Sequence, residues 1–264
     1  SGIKVFFKHE KKNLNKATMI VISSAIKNNN KELKAAKYKK LPIFKRGDML
    51  ANIVALKKNI VVAGSHGKTT TTSLTANIMA EAGFDPTIIN GGVINSIKNN
   101  AKLGKGDWAV LEADESDGSF LKLPIDYSIV TNIDNEHIDF YKNYKNLENS
   151  FLKFINKTPP IGKCIICLDD PKIKNLKKKI KTKNILTYGF NPSSDYQISK
   201  PKYDLNNCKF SLITKNFLGK KVSIKNISLN LIGKHNILNS VAAISVCLNL
   251  GIKIKVIKKA LSKF

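Results

Sequence analysis

The 264-residue sequence predicts an α/β fold with a mainly parallel sheet and a small antiparallel β region. Short apolar runs of strand character recur at 60–63, 87–90, 108–112, 127–131 and 164–168, with helix-periodic segments between several of them. Such alternation is the pattern of parallel strands joined by crossover helices. The stretch from Tyr196 to Leu231 differs, alternating short β-type runs with turn signals such as Leu218-Gly219. That pattern predicts antiparallel strands at one side of the sheet.

In chain order, residues 1–58 read as a piece of an α/β domain. Ile3 to Phe7, Met19 to Ile22 and Leu41 to Phe44 are short β-type runs. Asn30 to Lys40 carries helical spacing at Leu33, Ala36 and Lys37, and Arg46 to Leu56 does so at Met49, Leu50, Ile53 and Val54. Residues 59–264 read as a larger α/β domain. Its first strand, Ile60 to Ala63, enters a glycine-bearing turn, and a helix follows with Leu74, Ile78 and Met79 on one stripe. Asn236 to Leu250 is a further helix, apolar at Ile237, Val241, Ile244 and Leu248, which Gly251 stops. Lys253 to Phe264 starts another.

Composition narrows the function. Hydrophobic residues make up 42% of the chain, as in a globular protein rather than a disordered one. It contains no apolar run of about 18 residues, so no membrane span is predicted, and the first residues lack the apolar core of a signal peptide. The expected compartment is the cytosol. The net charge of +26 invites a nucleic-acid reading. However, Arg46 is the only arginine, and the lysines are spread from end to end among Asn and Ile. Arginine is the residue suited to planar phosphate and base recognition, so specific nucleic-acid binding is not expected. Of the cysteines, Cys164 and Cys167 have metal-like spacing, but residues three apart on a strand face opposite ways. They, Cys208 and Cys247 read as buried structural thiols.

The segment with most chemistry is Gly64-Ser65-His66-Gly67-Lys68-Thr69-Thr70, between a strand and a helix. Turn amides and a helix N-terminus attract phosphate, Lys68 adds a full charge, and Thr69 has a hydroxyl where a Mg²⁺ ligand would sit. The general phosphate-loop pattern asks for a glycine where this chain has Val62. In open α/β sheets ligands gather at the carboxyl ends of strands. Glu112 ends the run from Trp108, and His137 lies just beyond the run ending at Thr131. Brought to the same edge as Thr69, they would form a divalent-metal site, with water or Mn²⁺ easing the imidazole's place beside a hard cation. The nearby acids Asp114, Glu115 and Asp117 are compatible with metal binding, with orienting Lys68, or with plain solvation. His9 has no motif around it and reads as a surface or structural residue. Asn236 reads as able to cap its helix.

The shortened loop resembles that of the Mur ligases and folylpolyglutamate synthases. Glu112-Ala-Asp-Glu-Ser-Asp-Gly-Ser-Phe120, Thr131-Asn-Ile-Asp-Asn-Glu-His137 and Gly233-Lys-His-Asn-Ile-Leu-Asn239 stand in that family's order and spacing. The resemblance implies a partial Rossmann-like domain that binds a UDP-substrate at 1–58 and a central ATP-binding P-loop domain at 59–264. It implies ATP held by residues 64–70 with His235, Asn236 and Asn239 near the adenine, and Mg²⁺ (or Mn²⁺) at Thr69, Glu112 and His137. Lys68, Glu112 and His137 are the expected catalytic residues. The implied reaction joins L-alanine to the lactyl carboxylate of UDP-N-acetylmuramate through an acyl phosphate, in the making of peptidoglycan precursors. The family also has a glycine-rich start and a separate C-terminal domain, which these residues do not include, so the chain alone is expected not to complete the reaction. The alternatives are a murein tripeptide ligase, a folylpolyglutamate synthase-like enzyme, or a nucleotide-binding module without ligase activity. The first of these tends to carry Tyr-Asp-Thr where this chain has Ser116-Asp117-Gly118.

Overall fold

A computed structural model of the chain describes residues 2–94, 99–215 and 219–264. They form two compact units, 1–56 and 57–264. In the first unit, β1 (Ile20–Ile22) pairs in parallel with β2 (Ile43–Lys45), joined through helix α1 (Lys31–Tyr38), and helix α2 (Arg46–Val54) follows. Asn30 caps α1, its side-chain oxygen accepting from the amides of Glu32 and Leu33 at 2.9 and 3.1 Å. Leu14, Ala35 and Ala36 make the small core, with Ala17, Ile20, Leu41 and Ile43 packed on it. Ile3 to Phe7 corrects the sequence reading. The run has strand composition but no strand partner among the described residues, and Ile3, Val5 and Phe7 are exposed. A β-type sequence needs a neighbouring ladder and a face to bury. On α2 the expected apolar side is also incomplete, since Val54 is buried while Ile53 is exposed.

The second unit holds a ten-stranded sheet. In chain order its strands are β3 (Lys58–Ala63), β4 (Thr87–Ile94), β5 (Asn99–Lys102), β6 (Trp108–Glu112), β7 (Tyr127–Val130), β8 (Lys163–Cys167), β9 (Ile185–Gly189), β10 (Tyr196–Tyr203), β11 (Cys208–Lys215) and β12 (Lys221–Leu229). Across the sheet they run β12-β11-β10-β9-β8-β7-β3-β6-β4-β5. Neighbours from β10 to β4 are parallel, while β5 at one edge and β11 and β12 at the other pair antiparallel. The antiparallel region thus lies where the sequence predicts it, although β10 itself extends the parallel stack. Strands β5 and β9 escape the sequence pattern, and the turn signal at Leu218 lies outside the described residues.

Helices α3 (Lys68–Glu81), α4 (Ile138–Tyr141), α5 (Tyr144–Asn156), α6 (Pro171–Leu176), α7 (Lys234–Asn249) and α8 (Ile254–Ser262) complete the unit. α3 packs on α7 and α8 as well as on the sheet, which explains why it is buried beyond its predicted stripe, at Thr71, Thr72 and Thr75 too. Gly251, with φ +81°, ends α7 in the left-handed conformation as expected. The four cysteines are buried free thiols, and burial pushes Cys164 and Cys167 up to about 12 and about 11. No described helix is long and apolar enough to cross a membrane.

Candidate functional site

β3 lies between β6 and β7, both of which follow it later in the chain. The chain leaves β3 toward β4 on one side and leaves the neighbouring β7 toward β8 on the other, so a crevice opens at their carboxyl ends. The register sets Val62 against Glu112 and Ala63 against Val130, so the loops after three strands start at one level. These are the phosphate loop, the acidic run after Glu112, and the segment from Thr131 to His137.

The phosphate loop is held from the β7 side. Thr131 Oγ1 and Asn132 Nδ2 donate to the His66 carbonyl at 2.6 and 3.0 Å, and Asn132 Oδ1 accepts from the His66 amide at 2.8 Å. The Ser65 amide donates to Asn132 O at 3.1 Å, while Ser65 Oγ accepts from the Asp134 amide at 2.7 Å. The His66 ring is exposed, 3.2 Å from Asp134. Gly64 (φ +140°) and Gly67 (φ +78°) carry the backbone where side chains do not fit: a Cβ on Gly64 would overlap Thr131 Oγ1, and one on Gly67 would overlap Asn239 Oδ1.

Lys68 opens α3 and folds back over the loop. Its ammonium donates to Gly64 O (2.6 Å), Ser65 O (3.1 Å) and Glu115 Oε1 (2.8 Å). Thr69 Oγ1 donates to Glu112 Oε1 at 3.1 Å, and the other oxygen of Glu112 accepts from the Gly91 amide at 2.7 Å. A Cβ on Gly91 would come 2.9 Å from the Glu112 carboxylate and one on Gly92 would come 3.1 Å from Thr69 Cγ2, so Gly91 leaves room for that carboxylate and Gly92 for Thr69. Asn90 Nδ2 adds bonds to Thr69 O and Ser73 Oγ at 3.3 and 2.9 Å.

The acids of the run, alike in sequence, differ in environment. Asp114 accepts from Ser116, and Asp117 accepts from the Ser119 amide, both as local turns. Glu115 is buried, bonded to Lys68 through Oε1, which also lies 3.6 Å from His137 Nε2. Its Oε2 is buried with no hydrogen-bond partner. Burial pushes the Glu115 carboxyl above the usual carboxylate range, against the opposing hydrogen bond from Lys68. Phe120 anchors the run in the core, edge-on to Phe151 (5.5 Å) and stacked on Phe154 (5.2 Å). Beyond β7, His137 has φ +58° and begins α4.

The sequence-predicted set is therefore partly brought together and partly rearranged. Thr69 and Glu112 touch, while His137 Nε2 approaches Glu115. Ligand atoms of Glu115, Glu136 and His137 all lie within 4.8 Å of one another. Hard oxygen donors, an imidazole and the unpartnered Oε2 of Glu115 suit a small divalent cation. At α7, Asn236 corrects the capping expectation: Gly233 is the N-cap, and Asn236 turns back to donate to Ile232 O at 2.8 Å. Asn239 is buried against Gly67 and donates to Asn236 Oδ1 at 3.3 Å, and the His235 ring lies next to Gly233. The predicted amides are thus next to the phosphate loop through Asn239. Of the three nearby acids the sequence leaves unranked, Glu115 is the one bonded to Lys68, while Asn90 and the Gly91-Gly92 pair gain roles that sequence reasoning does not give them. Gly91-Gly92 was a legible signal, because paired glycines beside a β-run mark a close approach.

A parallel sheet with a Gly-Lys-Thr loop at its switch point defines an α/β P-loop protein. The chain belongs to the Mur ligase family: the Mur ligase middle domain matches residues 62–247, and the Mur ligase family catalytic domain matches residues 1–58. It is 58% identical over 263 residues to the UDP-N-acetylmuramate–L-alanine ligase of Pelagibacter ubique, covering 99% of this chain and 56% of that protein. The enzyme of the same name from Brucella anthropi is 43% identical, with 100% and 56% covered. Among solved structures, the UDP-N-acetylmuramate-alanine ligase of Thermotoga maritima superposes with a TM-score of 0.84 at 24% identity, covering 100% of this chain and 58% of that one. The chain thus spans a little over half the length of the curated relatives it matches.

Proposed function

We propose that this chain is the nucleotide-binding part of an ATP-dependent ligase that joins L-alanine to the lactyl carboxylate of UDP-N-acetylmuramate. The observation that carries this reading is the meeting of Lys68, Thr69, Glu112 and Glu115 at one strand edge, in a chain 58% identical to a protein of that name. On this reading residues 1–58 belong to a UDP-substrate domain and 59–264 form the ATP domain, working in the cytosol on peptidoglycan precursors. A carboxylate is a poor acyl donor because oxide is a poor leaving group. Its oxygen attacks the γ-phosphorus of ATP, the bond to the ADP oxygen breaks, and an acyl phosphate results. The alanine nitrogen then attacks the acyl carbon and loses a proton as inorganic phosphate leaves.

The chain's own residues bind and orient. The amides of residues 65–70 and Lys68 hold the phosphates, Lys68 exchanging its bonds to Gly64 O and Ser65 O for phosphate oxygens while Glu115 keeps it at the loop. Thr69, Glu112 and His137, with Glu115 beside them, would hold Mg²⁺ or Mn²⁺, which offsets phosphate charge when bound. His235, Asn236 and Asn239 form the adenine side. The test is calorimetric titration of ATP with and without Mg²⁺. Thr69→Val removes the hydroxyl while keeping the shape, and is expected to weaken Mg·ATP binding about tenfold, or about 1.4 kcal/mol, and to leave metal-free ATP binding nearly unchanged. Equal loss in both conditions would take Thr69 out of the metal site.

The charge of +26 supports one competing reading, nucleic-acid binding. Affinity for random duplex DNA is expected to be weak and to vanish at moderate salt. Tight, sequence-discriminating binding at physiological salt, read by fluorescence anisotropy, would favour that reading over the ligase.

A further inference from the structure

The polar cluster depends on two loops keeping a fixed distance, and one hydroxyl joins them. His137 begins the single-turn helix α4, and Lys142 ends it. Both are non-glycine residues in the left-handed region, with φ of +58° and +68°. Such backbone is disfavoured for residues with a Cβ, so the surroundings must hold the segment. The holding contacts come from the acidic run and from α5. Tyr141 Oη donates to the Glu115 carbonyl at 2.5 Å, which also accepts from the Gly118 amide at 3.2 Å. Asn146 Nδ2 donates to Tyr141 O at 2.8 Å. The Phe140 ring lies against Gly118, where a Cβ would come within 3.3 Å of it.

We infer that Tyr141 is a positioning residue, which through the Glu115 backbone sets the acidic run in register with His137; this rests on the ATP-site reading above. The Glu115 side chain reaches Lys68 and approaches His137, and its main chain is tied to the helix that His137 opens. Loss of the hydroxyl therefore acts on both loops at once. Packing alone does not need it: Tyr141 is 5% exposed and its ring meets Phe140 edge-on at 4.9 Å, contacts that a phenylalanine keeps. The phosphate loop has its own tethers through Thr131 and Asn132, independent of Tyr141. The hydroxyl should thus matter to the carboxylate–imidazole side of the site and not to the loop amides.

The experiment is calorimetric titration of ATP into this chain and into Tyr141→Phe, with and without Mg²⁺. Metal-free affinity is expected to stay within about threefold, while the gain in affinity on adding Mg²⁺ falls at least about fivefold. Ile227→Val, a core change in the distant strand β12, serves as a variant that loses stability alone, and it should keep the full Mg²⁺ gain. An unchanged Mg²⁺ gain in Tyr141→Phe, or an equal loss in Ile227→Val, overturns the positioning role. Should the unaltered chain bind no ATP in either condition, the ATP-site reading fails and this role falls with it; ATP binding with an intact gain in the variant removes the Tyr141 role only.

Discussion

Lys68→Ala is expected to weaken ATP binding at least about tenfold, or about 1.4 kcal/mol, and to destabilise the fold by roughly 3–5 kcal/mol at neutral pH. The second effect follows from burial. The Lys68 side chain is 15% exposed and that of Glu115 only 3%, so removing the lysine strands a carboxylate away from water. Breaking a buried pair costs more than the pair contributes, because the remaining charge loses its partner. Burial already raises the Glu115 carboxyl above its ordinary 4.5, and loss of the Lys68 hydrogen bond raises it further. A carboxyl raised in the folded state binds its proton more readily there than in the unfolded chain. Stability associated with it is therefore present below the ordinary value and is lost as pH rises through the folded value. The variant's deficit should be greatest near pH 7–8 and shrink toward roughly pH 4.5. Urea unfolding across this range measures it, and adding Glu115→Gln to Lys68→Ala should recover much of the loss at neutral pH. A deficit independent of pH would show that Glu115 is not the partner that matters. Undiminished ATP affinity would remove the loop from the site.

Much of this arrangement is legible in the sequence because local rules and tertiary packing agree. The run Ile60 to Ala63 is fully buried in β3, as a strand covered on both faces must be, and the following Gly-Lys-Thr turn leaves few alternatives. β9 is harder to see. Its run, Ile185-Leu-Thr-Tyr-Gly189, follows a lysine- and asparagine-rich stretch and becomes a strand by pairing with β8 and β10. Ile3 to Phe7 shows the converse, with strand composition and no ladder among the described residues. Within the acidic run, one-dimensional spacing cannot rank four acids that lie within six residues. Phe120 decides the ranking by anchoring the run, which puts Glu115 inward and leaves Asp114 and Asp117 to close turns. Asn236 departs from its capping expectation for a similar reason. A helix-start asparagine suggests a cap, but Gly233 begins α7 earlier, and the amide bonds back to Ile232 instead.

Gly64→Ala is expected to cost roughly 2–6 kcal/mol and to abolish measurable ATP binding, whereas Gly83→Ala should cost only about 1–2 kcal/mol. Both glycines have positive φ, +140° and +82°, so both substitutions meet backbone strain. They differ in what the new methyl would touch. At Gly83 nothing lies within 4 Å, and strain is the whole cost. At Gly64 the Cβ overlaps Thr131 Oγ1 and comes 3.0 Å from the Asn132 carbonyl oxygen. Neither neighbour can yield freely. Thr131 Oγ1 is bonded to the His66 carbonyl at 2.6 Å, and Asn132 O accepts from the Ser65 amide at 3.1 Å. Relief would require the phosphate loop to part from the end of β7, releasing the bonds that aim its amides. A loop displaced in this way offers no concerted set of donors to phosphate, so binding should fall along with stability. Denaturant unfolding of the two variants, with ATP titration alongside, provides the comparison. A Gly64→Ala protein as stable as Gly83→Ala, still binding ATP, would mean that the close approach between Gly64 and Thr131 is not a constraint on the loop.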